Sequence, residues 1–205
     1  MSRLTLVLIA APAFAALAIG AAHAQCTDPH YRWTVKTQVT HQGDPATAAT
    51  PSAMLTWTPL NLLHPSPGAH DCTPRSGPEL TVFAVTGWAR VWKIEKPGDL
   101  DWHIELTQGR KTDSTRCVVV EIPDTSYGAV FKTARHDFLD RIVNSTINKN
   151  KQIVPPVRLT VIGLAFFDAQ HRGAQGSGNP PSGHGHCNSS DRALWEIHPV
   201  YEVRP

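Results

Sequence analysis

The chain has 205 residues, 41% of them hydrophobic and 18% charged, and its 19 Lys and Arg against 17 Asp and Glu leave a formal charge of +2. This near-neutral balance, in a chain with six tryptophans, excludes a disordered polyelectrolyte. It also excludes a duplex-DNA binder that gains affinity by neutralising many phosphates.

Residues 1–24 read MSRLTLVLIAAPAFAALAIGAAHA, with Arg3 as a basic start, an apolar run, and Ala22-His23-Ala24 as a small-x-small cleavage site. This is the pattern of a secretory signal peptide, so the expected location is periplasmic or secreted, with no stable membrane insertion after cleavage. Arg3 is the only Lys, Arg, Asp or Glu in that segment, so its removal lowers the balance to +1 and electrostatics selects no partner. Cys26, Cys72, Cys117 and Cys187 all follow the cleavage site, and an even count in an oxidising compartment predicts two disulfides, with three connectivities open. No C-x-x-C pair favours a cysteine metal site instead.

Residues 25–79 carry eight prolines and read as an irregular arm packed on the domain that follows. Within it, residues 31–39 alternate as a short strand would. The domain spans 80–205. Its first strand, LTVFAVTGWARVWKIEK, carries Gly87 at an expected bend or bulge. Pro97-Gly98-Asp99 makes a turn. A second strand at 101–107 places Asp101, His103 and Glu105 opposite Trp102, Ile104 and Leu106. Residues 115–122 form a third strand. The helix is expected at 127–143, with Asp124, Thr125 or Ser126 as cap. Residues 157–167 are a fourth strand, apolar on both faces and therefore covered. A Gly/Pro/Ser/His-rich loop at 170–191 leads to a fifth strand at 194–203. The fold class is mainly β: a five-stranded OB-like barrel with one helix between strands 3 and 4, plus the irregular arm, with an α+β sandwich as the competing arrangement.

Polar residues recur on these strands. Glu196 and His198 share a face, as His103 and Glu105 do, and Asp168 and His171 emerge where the fourth strand ends. A His-x-Glu strand pair sets an imidazole and a carboxylate roughly 7 Å apart, within reach of one metal or water. His103, Asp168, His171 and His198 are therefore candidate ligands for a divalent metal: Zn²⁺, Mn²⁺ or Fe²⁺. Glu105, Glu121 and Glu196 are candidate bases toward a metal-bound water. Each pair alone also reads as an ordinary solvated strand face. His184 and His186 read as part of a disulfide-tethered surface excursion. Arg135, Trp88 and Trp102 are candidate ligand contacts. P-loop, dinucleotide, nucleophile-elbow and H-E-x-x-H motifs are absent from the sequence, so no nucleotide cofactor is expected.

The runs Val85-Thr86-Gly87, Asp99-Leu100-Asp101-Trp102-His103, Val120-Glu121-Ile122-Pro123, Ala134-Arg135, Phe166-Phe167-Asp168-Ala169-Gln170-His171 and Glu196-Ile197-His198-Pro199-Val200 resemble those of a group of uncharacterised exported bacterial proteins. The resemblance covers 81–203 and implies one domain but no reaction. The start of the domain also resembles thermonuclease-like OB barrels. His103 and Glu105 depart from that pattern, and Arg90, Arg116 and Arg135 do not match its arginines, so this second resemblance implies fold alone. Two functions follow as expectations. One is a metal-assisted hydrolase acting on a phosphodiester or other envelope substrate. The other is a non-catalytic module binding a glycan, peptide or oligonucleotide. The partner is a small molecule or an envelope polymer.

Overall fold

The computed structural model describes residues 28, 30–62, 71–96, 99–172 and 184–205. The signal segment, Cys26, Pro97-Gly98 and residues 173–183 of the 170–191 loop lie outside them.

The described chain is mainly β, with one seven-stranded sheet and three α-helical segments. In the arm these are α1 (Trp33–Lys36), β1 (Thr47–Ala49) and α2 (Pro51–Met54). Then come β2 (Val82–Ile94), β3 (Trp102–Thr107), β4 (Cys117–Ile122), α3 (Ala129–Ile142), β5 (Thr146–Ile147), β6 (Gln152–Phe167) and β7 (Trp195–Arg204). The pairings β2–β3, β3–β4, β4–β7, β7–β6 and β6–β2 close a ring of five strands. All are antiparallel except β4–β7, which is parallel. The helix crossing from β4 to β6 supplies the reversal that this closure requires.

One side of each ring strand feeds a common core. Val85 and Ala89, Ile104 and Leu106, Val118, Val120 and Ile122, Leu159 and Val161, and Ile197 all belong to it. α3 adds Phe131, Ala134, Phe138 and Ile142 at helical spacing. Phe138 packs edge-on against both Trp92 and Trp102, with centroids 5.8 and 6.2 Å away. Trp102 is thus half-buried packing surface, while Trp88 is half-buried under the Arg110 guanidinium.

The structure departs from the sequence reading in several places. Residues 31–39 form no strand: α1 occupies their centre, with Tyr31, Trp33 and Val35 buried. Their alternation reflects one helical turn whose two sides are both covered. The bulge falls at Arg90, not Gly87, since the β2 register shifts between Ala89 and Val91 against both neighbours. At Gly87 a Cβ would instead lie 3.0 Å from Pro51 Cγ and 3.1 Å from the Thr107 carbonyl, so this glycine serves close packing. Gly128 is the N-cap of α3, while Asp124 caps the short 3-10 turn before it through the Ser126 amide. β6 begins at Gln152 and runs through Pro155-Pro156, earlier than the expected strand.

The arm is locked onto the ring. Arg32 and Glu79 form a fully buried two-pronged ion pair, Nη1–Oε1 2.8 Å and Nη2–Oε2 2.9 Å. Glu79 also accepts the Phe167 amide at 2.9 Å, which ties the pair to the end of β6. Arg75 donates to the carbonyls of Ala165, Val35 and His198, joining arm, β6 and β7. The arm therefore covers the side of β6 and β7 opposite the core.

Candidate metal centre

β3, β4 and β7 are adjacent, and their registers align the polar residues. His103 pairs with Glu121, while Glu105 and Glu196 both pair with Val119. Because side chains alternate along a strand, Asp101, His103, Glu105, Glu121, Glu196 and His198 all face away from the core. Solvated side chains are the ordinary outcome for such a face. Here all six are buried, Asp101 and His198 completely. Two remote segments supply the cover: the arm, and residues 184–187, tethered by the Cys117–Cys187 disulfide. Cys72 is also disulfide-bonded.

The side chains form a linked series. His198 Nε2 is 3.0 Å from Asp101 Oδ2, and its Nδ1 is 3.0 Å from Glu121 Oε2 and 3.6 Å from Glu196 Oε2. The other Glu121 oxygen is 3.0 Å from His103 Nδ1, and His103 Nε2 lies 3.6 Å from Glu105 Oε1. Glu105 accepts from the amide of His186 at 3.0 Å and contacts its ring nitrogen at 2.9 Å. The tethered segment adds His184, whose Nε2 meets Glu196 Oε1 while its Nδ1 meets the Cys187 carbonyl at 3.2 Å. His184 is buried and Gly185 lies against Glu105, so His184 is part of the cluster, while His186 is exposed and touches Glu105 from the surface side of the tethered segment.

Charge follows from this packing. Burial opposes the charged form of His198, but Asp101, Glu121 and Glu196 outweigh it and raise its pKa well above the ordinary value. Burial likewise opposes charge on His103, yet Glu105 and Glu121 raise it to about 9. Glu121 is disfavoured as a carboxylate by burial and is nevertheless held well below the usual range by the two histidines. Burial pushes Asp101 up.

Among the described residues, three groups of donor atoms have the spacing for a metal ion: Asp101/Glu121/His198, Glu95/His103/Glu121 and Asp168/His171/His184. A fourth, Glu105 with Cys117 and Cys187, is discounted because its sulfurs are joined in a disulfide. The four ligands expected from sequence do not converge on one centre. His103 and His198 fall in two groups linked by Glu121, while Asp168 and His171 join His184. Lys36 Nζ, 3.9 Å from Asp168, already supplies positive charge to that third group. In the second, Glu95 pairs with Lys93 at 2.8 Å. Among the described residues, Asp101 and Glu121 form ion pairs only with imidazoles.

Asp101 and Glu121 meet opposite ring nitrogens of His198, so one ion can take only one of those nitrogens, while one donor atom from each of the three residues still lies within 4.8 Å of the others. The contacts of His198 with Asp101 and Glu121 have poor hydrogen-bond alignment, leaving Asp101 Oδ2 and both His198 nitrogens without an aligned partner. The Asp124 amide holds the other Asp101 oxygen at 3.2 Å, an outer contact that fixes the carboxylate. Arg135 braces the same corner, donating to the carbonyls of Leu100 and Ile122 at 2.8 and 3.1 Å and stacking over Trp102. Its Nη2 is thus engaged by two backbone carbonyls.

A pocket of about 210 Å³ opens beside Glu105 and His186. Neither Trp88 nor Trp102 lines it. The buried status of the acidic face, the part played by His184 and the brace at Arg135 carry no local signal in the sequence.

No family model, curated protein or solved structure matches the chain.

Proposed function

We propose that the chain is an exported metal-binding protein whose ion is held by Asp101, Glu121 and His198. The observation that carries this reading is that Asp101, Glu121 and His198, all buried, bring one donor atom each within 4.8 Å of one another. Two carboxylates and one imidazole form a mixed oxygen and nitrogen set suited to Zn²⁺, Mn²⁺ or Fe²⁺. Strand order, the parallel β4–β7 closure and the helix between the third and fourth ring strands support an OB-like barrel as the frame. The Cys117–Cys187 disulfide supports an oxidising compartment. No helix among the described residues is long and apolar enough to cross a membrane.

A second reading adds hydrolysis at this centre, with Glu105 or Glu196 as base. The pocket favours it, since Glu105 stands between that opening and His103. The depth of Asp101 and His198 argues for the simpler role, because catalytic metals keep an open position. The alternative of a stacking module for a glycan, peptide or oligonucleotide loses support, as Trp102 is packed against Trp92 and Phe138.

The test is elemental analysis of untagged protein purified from an oxidising compartment, after loading with Zn²⁺ or Mn²⁺. One ion per chain is expected in the wild type, with loss in His198→Ala and Asp101→Asn and retention in His171→Ala. A wild type that holds neither metal overturns the reading. Retention in His198→Ala with loss in His171→Ala moves the site to Asp168.

A further inference from the structure

The pocket beside Glu105 exists because two strands depart from regular pairing at the same height. Between the pairs Ala89↔Val157 and Val91↔Gln152, β2 advances two residues while β6 advances five. Pro155 and Pro156 lie in the excess and offer no backbone N–H to the neighbouring strand. Facing β3, β2 again spends an extra residue, since Ala89 and Val91 oppose Leu106 and Glu105. Arg90 is the bulged residue against β3 and lies opposite the excess of β6, and a bulge re-aims the side chain it carries.

The lining is rich in donors. Arg90 makes one hydrogen bond, Nη1 to the Thr112 carbonyl, which leaves Nε and Nη2 without a partner among the described residues. Ser114 is exposed on the rim and makes no side-chain bond there. Gln152 uses its oxygen to accept from Asn148, leaving its amide nitrogen. The one carboxylate of the lining, Glu105, is already bonded to the amide and ring of His186 and faces His103. Asp113, nearby in sequence, accepts from Thr115 and is not part of the lining. The wall thus offers a cation and neutral donors, while its one carboxylate is already engaged. At about 210 Å³ it is smaller than a pocket for a drug-sized molecule, about 300–1,000 Å³.

We propose that this pocket binds a small oxyanion, or the carboxylate or phosphate end of a larger molecule, with Arg90 as the charged contact and Ser114 and Gln152 as neutral donors. A guanidinium presents paired N–H groups to such oxygens. The site does not depend on a metal, because Arg90 belongs to none of the ion-holding groups. If the centre beyond Glu105 acts on a substrate, that substrate is anionic.

The experiment titrates chelator-treated full-length mature protein with inorganic phosphate and with citrate, followed by calorimetry. The expected result is saturable one-to-one binding of at least one probe, weakened at least about tenfold by Arg90→Gln and unchanged by Arg192→Gln, a substitution outside the pocket. Ser114→Glu tests the site without touching the Arg90 hydrogen bond and should abolish binding. No saturation of either probe below about 10 mM, or affinity unchanged in both Arg90→Gln and Ser114→Glu, overturns the proposal, as does equal weakening by Arg192→Gln. Chelation keeps these outcomes separate from those of the metal test.

Discussion

At Gly185 the covering segment makes its closest approach to the polar face. The residue has φ +60°, and a Cβ there would fall 2.3 Å from Glu105 Oε1 and 3.1 Å from His103 Nε2. Gly43 also has positive φ, at +89°, yet a Cβ there meets nothing within 4 Å. Both positions share the conformational reason for glycine, but only Gly185 adds a steric one. Gly185→Ala is therefore expected to destabilise the protein by about 1–3 kcal/mol more than Gly43→Ala, the range for overpacking a filled site. Thermal unfolding of the two variants measures the difference. Equal losses would mean that the segment moves aside freely and does not press on Glu105. His198 is the complementary case: its sequence neighbours identify its face, but its burial depends on Arg75 and Phe166, which approach from elsewhere.

The elements show which parts of this arrangement are local. β3 was legible because Trp102, Ile104 and Leu106 alternate with His103 and Glu105, and α3 because Phe131, Ala134 and Phe138 recur on one helical face. The burial of the polar face was not legible, since alternation assigns a side of the sheet without saying what lies on it. The covering segment is held by a covalent bond that spans 70 residues of chain. Pairing of Cys117 with Cys187 follows from β4 lying beside β7, a contact between elements that no spacing encodes. Opening that bond with Cys117→Ser/Cys187→Ser should lower stability by about 2–4 kcal/mol. It should also release the His186 amide from Glu105, a 3.0 Å bond. Hydrogen exchange reads the second effect separately. Fast exchange at His186 with slow exchange in β3 is the expected pattern, and a His186 amide still protected in the variant would show that the disulfide is not what seats the segment.

For the molecule as a whole, the arm and the ring are one unit through the Arg32–Glu79 pair. Prolines made the arm recognisable as irregular, but not as the cover of the acidic face. Its seat is charged and fully buried, so each partner depends on the other for solvation lost on folding. Glu79 also receives the amides of Phe167 and Ser76, and Arg32 donates to the carbonyls of Thr73 and Pro74. Glu79→Ala leaves a guanidinium buried without its counter-charge and two amides without an acceptor, and is expected to cost about 3–5 kcal/mol. The loss should be uneven, because the ring retains its own ladders and apolar core. Limited proteolysis should therefore cut the arm within 30–62 well before β2–β7, and in protein loaded with Zn²⁺ the ion of the proposed centre should be lost at the same stage as the cover leaves His198. Replacing both partners, as Arg32→Met/Glu79→Leu, removes the unmatched charge and should recover part of the stability. Simultaneous digestion of arm and ring in Glu79→Ala would instead make the arm an inseparable part of the ring's folding unit.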